Sequence, residues 1–175
     1  IGGRANFFVI PDCWEKLVEL LNFLNAEGVE YLILGGGSNM LASDSDFEGV
    51  VINLIKNNKI TINNDVVEAE AGAVTAAVAQ ESIKNNLDGF IWGVGVPGTI
   101  GGAAQGNAGA MGGEMKDVVD RVLVYRAGEV LELSAAECEF CYRDSIFKHN
   151  HDFILKVYLK LVKSGKELAG QALET

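Results

Sequence analysis

The run from Gly93 to Gly113, GVGVPGTIGGAAQGNAGAMGG, constrains this chain more than any other segment. It holds nine of the chain's 21 glycines in 21 positions, with almost no charge. Each interior glycine disfavours a helix by about 1 kcal/mol relative to alanine, and Pro97 lacks a backbone donor, so no regular helix is expected here. A flexible linker is excluded as well. Ile100, Ala103, Ala104, Ala108 and Met111 stand where linkers carry serines and charges. The expectation is a compact irregular loop whose glycines adopt positive φ or lie against something bulky. Apolar and rich in free N–H groups, such a loop suits a large ligand with phosphates and flat rings.

A second glycine cluster, Gly35-Gly36-Gly37-Ser38-Asn39, directly follows a short apolar strand predicted over Tyr31–Leu34. Three glycines and two small polar residues can wrap a phosphate with N–H groups and a hydroxyl; a plain tight turn is the other reading. Ahead of it, Ala5–Ile10 reads as a strand, and Asp12-x-x-Glu15 resembles a capping box. Trp14, Leu17, Leu21 and Leu24 follow at helical spacing, with Gly28 as the stop. Strand, helix and strand in this order give a βαβ signal.

Further along, Val50–Leu54 is predicted as a strand, and Lys59–Ile62 with Val66–Ala71 as a hairpin turned at Asn63-Asn64-Asp65. Val74–Asn85 reads as an alanine-rich helix, and Phe90–Trp92 leads into the long glycine run. Val118–Tyr125 and Glu129–Leu133 form a second expected hairpin around Ala127-Gly128. Ser134-x-x-Glu137 is expected to open a short helix. Phe153–Val162 alternates as a half-exposed strand, with Val157, Leu159 and Leu161 on one face and Lys156 and Lys160 on the other. The character of the sequence shifts near Ile55–Asn58. That implies an α+β chain of two lobes, a smaller one over residues 1–55 and a larger one over 56–163. The tail, with weak helical character, is expected to lead beyond Thr175, and residues are expected upstream of Ile1.

The net charge of −10 argues against nucleic-acid and anionic-membrane partners. No apolar run approaches the roughly 20 residues of a membrane span, and no signal segment opens the chain. With only three cysteines, Cys13, Cys138 and Cys141, the expectation is a reducing cytoplasm. A lone Cys138-x-x-Cys141 near His149 and His151 lacks the second half of a zinc pattern, and two buried inert thiols are the favoured reading. Gly93-x-Gly95-x-x-Gly98 matches the dinucleotide fingerprint in letters. It fails in context, because Pro97 and Gly101-Gly102 interrupt the helix that the fingerprint requires. No catalytic triad is legible. Tyr142-Arg143-Asp144-Ser145-Ile146-Phe147-Lys148 leaves two readings open: Arg143 clamps a substrate carboxylate or ring carbonyl, or it forms a surface pair with Asp144 beside a core Phe147.

Taken together, four segments resemble the MurB family of UDP-N-acetylenolpyruvoylglucosamine reductases, flavoenzymes of cell-wall precursor synthesis. They are Ile1-Gly2-Gly3, LGGGSNMLA over 34–42, GVPGTIGGAAQGNAGAMGGE over 95–114, and YRDSIFK over 142–148. The similarity runs through nearly all of the chain. It implies a two-lobed FAD-binding unit of the vanillyl-alcohol-oxidase (PCMH) type, with non-covalent FAD between the lobes. Leu34, Gly35, Gly36, Gly37, Ser38, Asn39 and Met40 would then hold the pyrophosphate. Pro97, Gly98, Thr99, Gly101, Gly102, Ala103, Asn107 and Ala108 would follow the pyrophosphate and flavin ring. In the family NADPH reduces FAD, and hydride then passes to the enolpyruvyl group of a UDP-sugar. Arg143 matches the family arginine that stabilises the substrate carboxylate and developing enolate, and Tyr142 would stand beside it.

Family members continue into a substrate-binding domain that carries a proton-donating serine and an assisting glutamate, and no residue of this chain matches either. The resemblance thus implies the FAD-binding part of a reductase, inactive when isolated, with residues 164–175 opening the linker. The alternatives are a stand-alone flavin-binding protein or electron carrier, and an alcohol oxidase or dehydrogenase of the same fold. Arg143 favours the reductase, since a carrier needs no substrate-facing cation. The absence of histidine near either glycine loop counts against the covalently flavinylated oxidases.

Overall fold

The computed structural model describes residues 2–165 and Leu168; Ile1 and the remaining tail positions, including their expected helical character, lie outside the described residues. The first segment is β1 (Ala5–Val9), α1 (Trp14–Ala26), β2 (Tyr31–Leu34) and β3 (Phe47–Asn53). Leu17, Leu21 and Leu24 recur every three or four residues and are buried, which fixes the inward face of α1. Gly28, with φ of +64°, ends it. The expected capping box at Asp12 does not form. Cys13 occupies the cap position without a side-chain bond, while Asp12 accepts from Lys16 Nζ at 2.9 Å and Lys56 Nζ at 3.1 Å. All three strands run parallel, but β3 lies between β1 and β2, so the expected βαβ unit is formed around an inserted strand.

Next come β4 (Ile60–Asn63), β5 (Val66–Glu70), α2 (Thr75–Lys84), β6 (Leu87–Asp88) and α3 (Ile100–Gln105). After α3 follow β7 (Gly109–Ala110), β8 (Gly113–Glu114), β9 (Val119–Arg126), β10 (Glu129–Ser134), β11 (Phe153–Lys160) and β12 (Val162–Lys163). The second large sheet is antiparallel, in the order β10-β9-β11-β5-β4. Both expected hairpins are present, with Asn64 and Ala127 in the left-handed region at their tips. Val67, Ala69, Val122, Val124, Val157 and Leu159 are fully buried on one face of this sheet, where α3 packs on β11 and β5. Burying valine and leucine side chains of this kind is worth about 1.5–3 kcal/mol each. The opposite face is partly roofed: Arg121 lies 4.1 Å over the Tyr158 ring and Lys156 Nζ 5.4 Å over Trp14.

α1 and β9 are joined by a chain of hydrogen bonds. Tyr125 Oη donates to Asn22 Oδ1 at 2.8 Å and accepts from Asn25 Nδ2 at 3.0 Å, while Tyr31 Oη donates to Asn25 Oδ1. Arg126 grips the nearly fully buried carboxylate of Asp152 with Nε at 2.8 Å and Nη2 at 2.6 Å. No helix among the described residues is long and apolar enough to cross a membrane.

Three further expectations are corrected. The glycine run does contain a helix, α3, and Gly101-Gly102 form part of it. A Cβ on Gly101 would lie 2.8 Å from Ala71 Cβ and 3.0 Å from the Ala71 carbonyl, so the missing side chain lets the helix lie directly on the turn that follows β5. Tertiary contact outweighs propensity there. Ser134 and Glu137 make only half of the box: the Ser134 N–H and Oγ both donate to Glu137 Oε2, while the Glu137 N–H bonds the Ser134 carbonyl, and only turns follow. Glu139, at φ of +49°, bends the chain away before a helix can extend. Finally, Cys138 is buried but Cys141 is exposed.

Two outcomes follow from this packing. Gly101→Ala is expected to lower unfolding stability by about 1–2 kcal/mol, because overpacking exceeds the gain in helix propensity. Ala71→Gly should recover only part of that loss in the double variant, since the contact with the Ala71 carbonyl remains, as urea titration will show. Burial pushes the Cys138 thiol up to about 12. Iodoacetamide at pH 8 should therefore alkylate Cys141 readily and Cys138 only after denaturation, which peptide mass spectrometry resolves.

Candidate functional site

The two glycine loops meet. The first leaves the C-terminal end of β2, and the second enters α3, so each is carried to the junction by a packed element. At the junction they touch backbone to backbone. A Cβ on Gly36 would lie 3.1 Å from Gly98 Cα, and one on Gly35 would lie 2.5 Å from Thr99 Oγ1. Gly98 has φ of +94° and faces the other loop, where a Cβ would lie 2.5 Å from Ser38 Oγ. Only glycine meets both demands at this position.

A groove of about 610 Å³ opens over this junction, within the range of sites for organic ligands of substantial size. Leu34, Gly35, Gly36, Gly37, Ser38, Asn39 and Met40 line it from one side. Pro97, Gly98, Thr99, Gly102, Ala103 and Ala108 line it from the other, and Arg143 reaches it as well. Among the described residues, no hydrogen bond takes up the backbone N–H groups of Gly36, Gly37, Ser38 or Asn39. Free N–H donors on a glycine turn, over a groove that any Cβ would narrow, match the needs of a pyrophosphate. The groove continues both ways: a cavity of about 350 Å³ shares Gly35 and Thr99 with it, and one of about 230 Å³ shares Gly109 and Arg143.

Gly101 and Asn107 do not line the groove of about 610 Å³ itself but its two continuations, Gly101 the cavity of about 350 Å³ and Asn107 the one of about 230 Å³. Gly101 is turned to Ala71, and Asn107 is buried beneath the β7–β8 hairpin. Tyr142 is exposed beside Arg143, whose Cζ is 5.8 Å from the Tyr142 ring centroid. The alternative pairing of Arg143 with Asp144 does not form. Arg143 Nη2 donates to the Gly109 carbonyl at 2.9 Å, and Asp144 is paired with His149 Nε2 at 2.7 Å. That bond from His149 holds the Asp144 carboxyl below the usual carboxylate range. Phe147 is buried, as expected of a core residue.

Sequence reasoning missed Gln105 and Lys148, which also line the groove. Reading the glycine run as a loop hid a helical spacing. Ile100, Gly101 and Ala104 are buried, whereas Gly102 and Gln105, three apart, face outward. Lys148 belongs to the YRDSIFK segment, and a single 3-10 turn over Ile146–Lys148 carries its Nζ back to the Arg143 carbonyl. Among the described residues, no group of three or more His, Cys, Asp or Glu side chains could hold a metal ion.

Comparison with known proteins agrees with this geometry. A family model described as FAD binding domain matches residues 5–134, which include both glycine loops. UDP-N-acetylenolpyruvoylglucosamine reductase of Geobacillus kaustophilus is 38% identical over 162 residues, covering 92% of this chain and 53% of the relative. The enzyme of the same name from Clostridioides difficile is 42% identical over 163 residues, covering 92% and 54%. The chain thus spans about half the length of the curated relatives it matches. Among solved structures, UDP-N-acetylenolpyruvylglucosamine reductase (MurB) from Thermus caldophilus superposes with a TM-score of 0.75 at 28% identity, covering 95% of this chain and 57% of that one. 6-Hydroxy-D-nicotine oxidase from Arthrobacter nicotinovorans, at 18% identity, covers 92% of this chain and 37% of that one with a TM-score of 0.70, which is evidence of the shared fold alone. The two-sheet architecture is therefore that of the vanillyl-alcohol-oxidase (PCMH) type, and the chain belongs to the FAD binding domain family.

Proposed function

We propose that this chain is the FAD-binding part of a UDP-N-acetylenolpyruvoylglucosamine reductase, working in the cytoplasm on a precursor of peptidoglycan. The observation that carries this reading is the single groove in which both glycine loops and Arg143 converge. In it, the Gly36–Asn39 N–H groups hold the cofactor's pyrophosphate, and the Gly98–Thr99 backbone closes on it from the opposite side. Bound there, FAD supplies a two-electron carrier that NADPH reduces and that delivers hydride to the enolpyruvyl UDP-sugar.

The chain's own residues orient and polarise. Arg143 offers a permanent cation with several N–H donors beside the groove, suited to a carboxylate and to the charge that develops on it as an enolate forms. One of those donors, on Nη2, is held by Gly109, which limits how far the guanidinium can swing. Tyr142 shields this cation from one side. The groove's apolar walls, Leu34, Met40, Val96 and Ala103, exclude water from the flat part of the cofactor. The remaining sugar contacts and the proton donor are assigned to segments of the relatives that this chain does not match. In the same proposal residues 1–55 and 56–163 are the two lobes, each built on one of the large sheets, and 164–175 lead out of the second. An arginine at the groove favours this reductase reading over a stand-alone flavin carrier.

The chain incubated with excess FAD and desalted is expected to keep a flavin absorbance band that is released on denaturation. Failure to retain flavin, even when the chain is extended to the length of its relatives, would refute the reading. Gly98→Ala should weaken FAD about ten- to a hundredfold, from the strain of a left-handed alanine and its clash with Ser38. At the relatives' full length, Arg143→Gln should lower kcat/KM for the UDP-sugar by about 10²–10³-fold.

A further inference from the structure

Asn107 is fully buried, in the left-handed region at φ of +39°, and its side-chain amide is bonded on both sides. Nδ2 donates at 2.7 Å to Glu114 Oε2 and at 2.7 Å to the Cys141 carbonyl. Oδ1 accepts from the Lys116 N–H at 2.9 Å. A primary amide has two N–H donors, and both are spent inside the protein, leaving none for a ligand.

The Cys141 carbonyl is the start of the tight turn that presents Arg143. Cys141 and Asp144 bond each other through both backbone N–H groups, at 3.1 and 3.2 Å, with Tyr142 and Arg143 between them. Arg143 is itself left-handed at φ of +55°, a conformation that a long side chain adopts at a cost and that needs outside support. Asn107 supplies that support at the turn's first residue, Lys148 Nζ bonds the Arg143 carbonyl, and Ser145 Oγ ties the turn's exit to the Gln105 carbonyl at 2.6 Å. Gly109, the acceptor for the guanidinium, lies only two residues beyond Asn107. One buried amide thus holds both the base of the turn and the strand against which its cation rests.

We infer that Asn107 is a positioning residue, which sets the placement of Arg143 beside the groove and does not contact the cofactor. This deepens the proposed function by naming what orients its key cation. Without the amide, the turn would lose its link to the buried hairpin, and Arg143 would sample several placements.

The test uses N107G in this 175-residue chain, since glycine accepts the left-handed backbone while removing the amide. Flavin-free protein is treated with trypsin, and the cuts after Arg143 and after Arg121, in the middle of β9, are timed by mass spectrometry. A local loss of support should speed the cut at Arg143 by about tenfold, the worth of one buried hydrogen bond, and leave Arg121 unchanged. If both cuts accelerate together, Asn107 supports the fold as a whole and the inference fails. FAD affinity is then compared between R143Q and N107G/R143Q. A residue acting only through Arg143 adds no further loss in that background, whereas an additional loss would show direct contact with the cofactor and overturn the inference. Should wild type bind no FAD, the functional reading fails while the cleavage arm still decides the role of Asn107. Should N107G not fold, N107D combined with E114Q keeps the side chain's shape and removes the same donors without pairing two carboxylates.

Discussion

Contact between two glycine backbones is the constraint from which the rest of this structure follows. Gly36 rests on Gly98, and Gly35 on Thr99, at separations that leave no room for a side chain. Around that point, one parallel and one antiparallel sheet are held at a fixed distance, and a groove with unused N–H donors remains between them. The loops need not hold the sheets together by themselves. The Tyr125–Asn22–Asn25–Tyr31 chain, the aromatic contact of Tyr31 with Phe153, and the bond from Asn57 Nδ2 to the Pro11 carbonyl join the same two halves elsewhere. The glycines therefore need only avoid obstruction, and the packing around them supplies the cohesion.

Much of this arrangement was legible in the residue order, for identifiable reasons. Alternation over Val157, Leu159 and Leu161, the Ala127-Gly128 turn, and the leucines of α1 are strong local signals that tertiary contact reinforces. The helix in the glycine run was not legible, because it depends on tertiary packing such as that of Gly101 on Ala71, thirty residues earlier in the turn after β5. The inserted position of β3 was hidden for the same reason: local periodicity reports which residues pair, but not with whom. Capping signals failed in two distinct ways. Asp12 was drawn off by two lysines, and the box at Ser134 formed only by half, with a left-handed Glu139 directly after it.

The site shows the same division. Glycine clustering was enough to mark both loops, since few other roles need so many residues without Cβ. The supporting groups were less visible. Lys148 and Ser145 act through backbone carbonyls of Arg143 and Gln105, contacts that depend on the path of the chain and not on residue type. The resemblance implied Asn107 among the cofactor-binding residues; the bonds from its side chain to three protein partners were not legible in the sequence.

The separation in sequence of Gly36 and Gly98 has a kinetic meaning. Neither sheet alone presents a complete groove, so a cofactor has little to bind until contacts across about a third of the chain, the 62 residues from Gly36 to Gly98, have formed. Assembly of the two halves is then the slow, topologically demanding event, and ligand capture follows it. Flavin would act as a latch on the finished fold and not as a template for it, adding about 2.7 kcal/mol of stability at a hundred times its dissociation constant. Synthesis under cofactor shortage would therefore leave this chain folded but less resistant to unfolding.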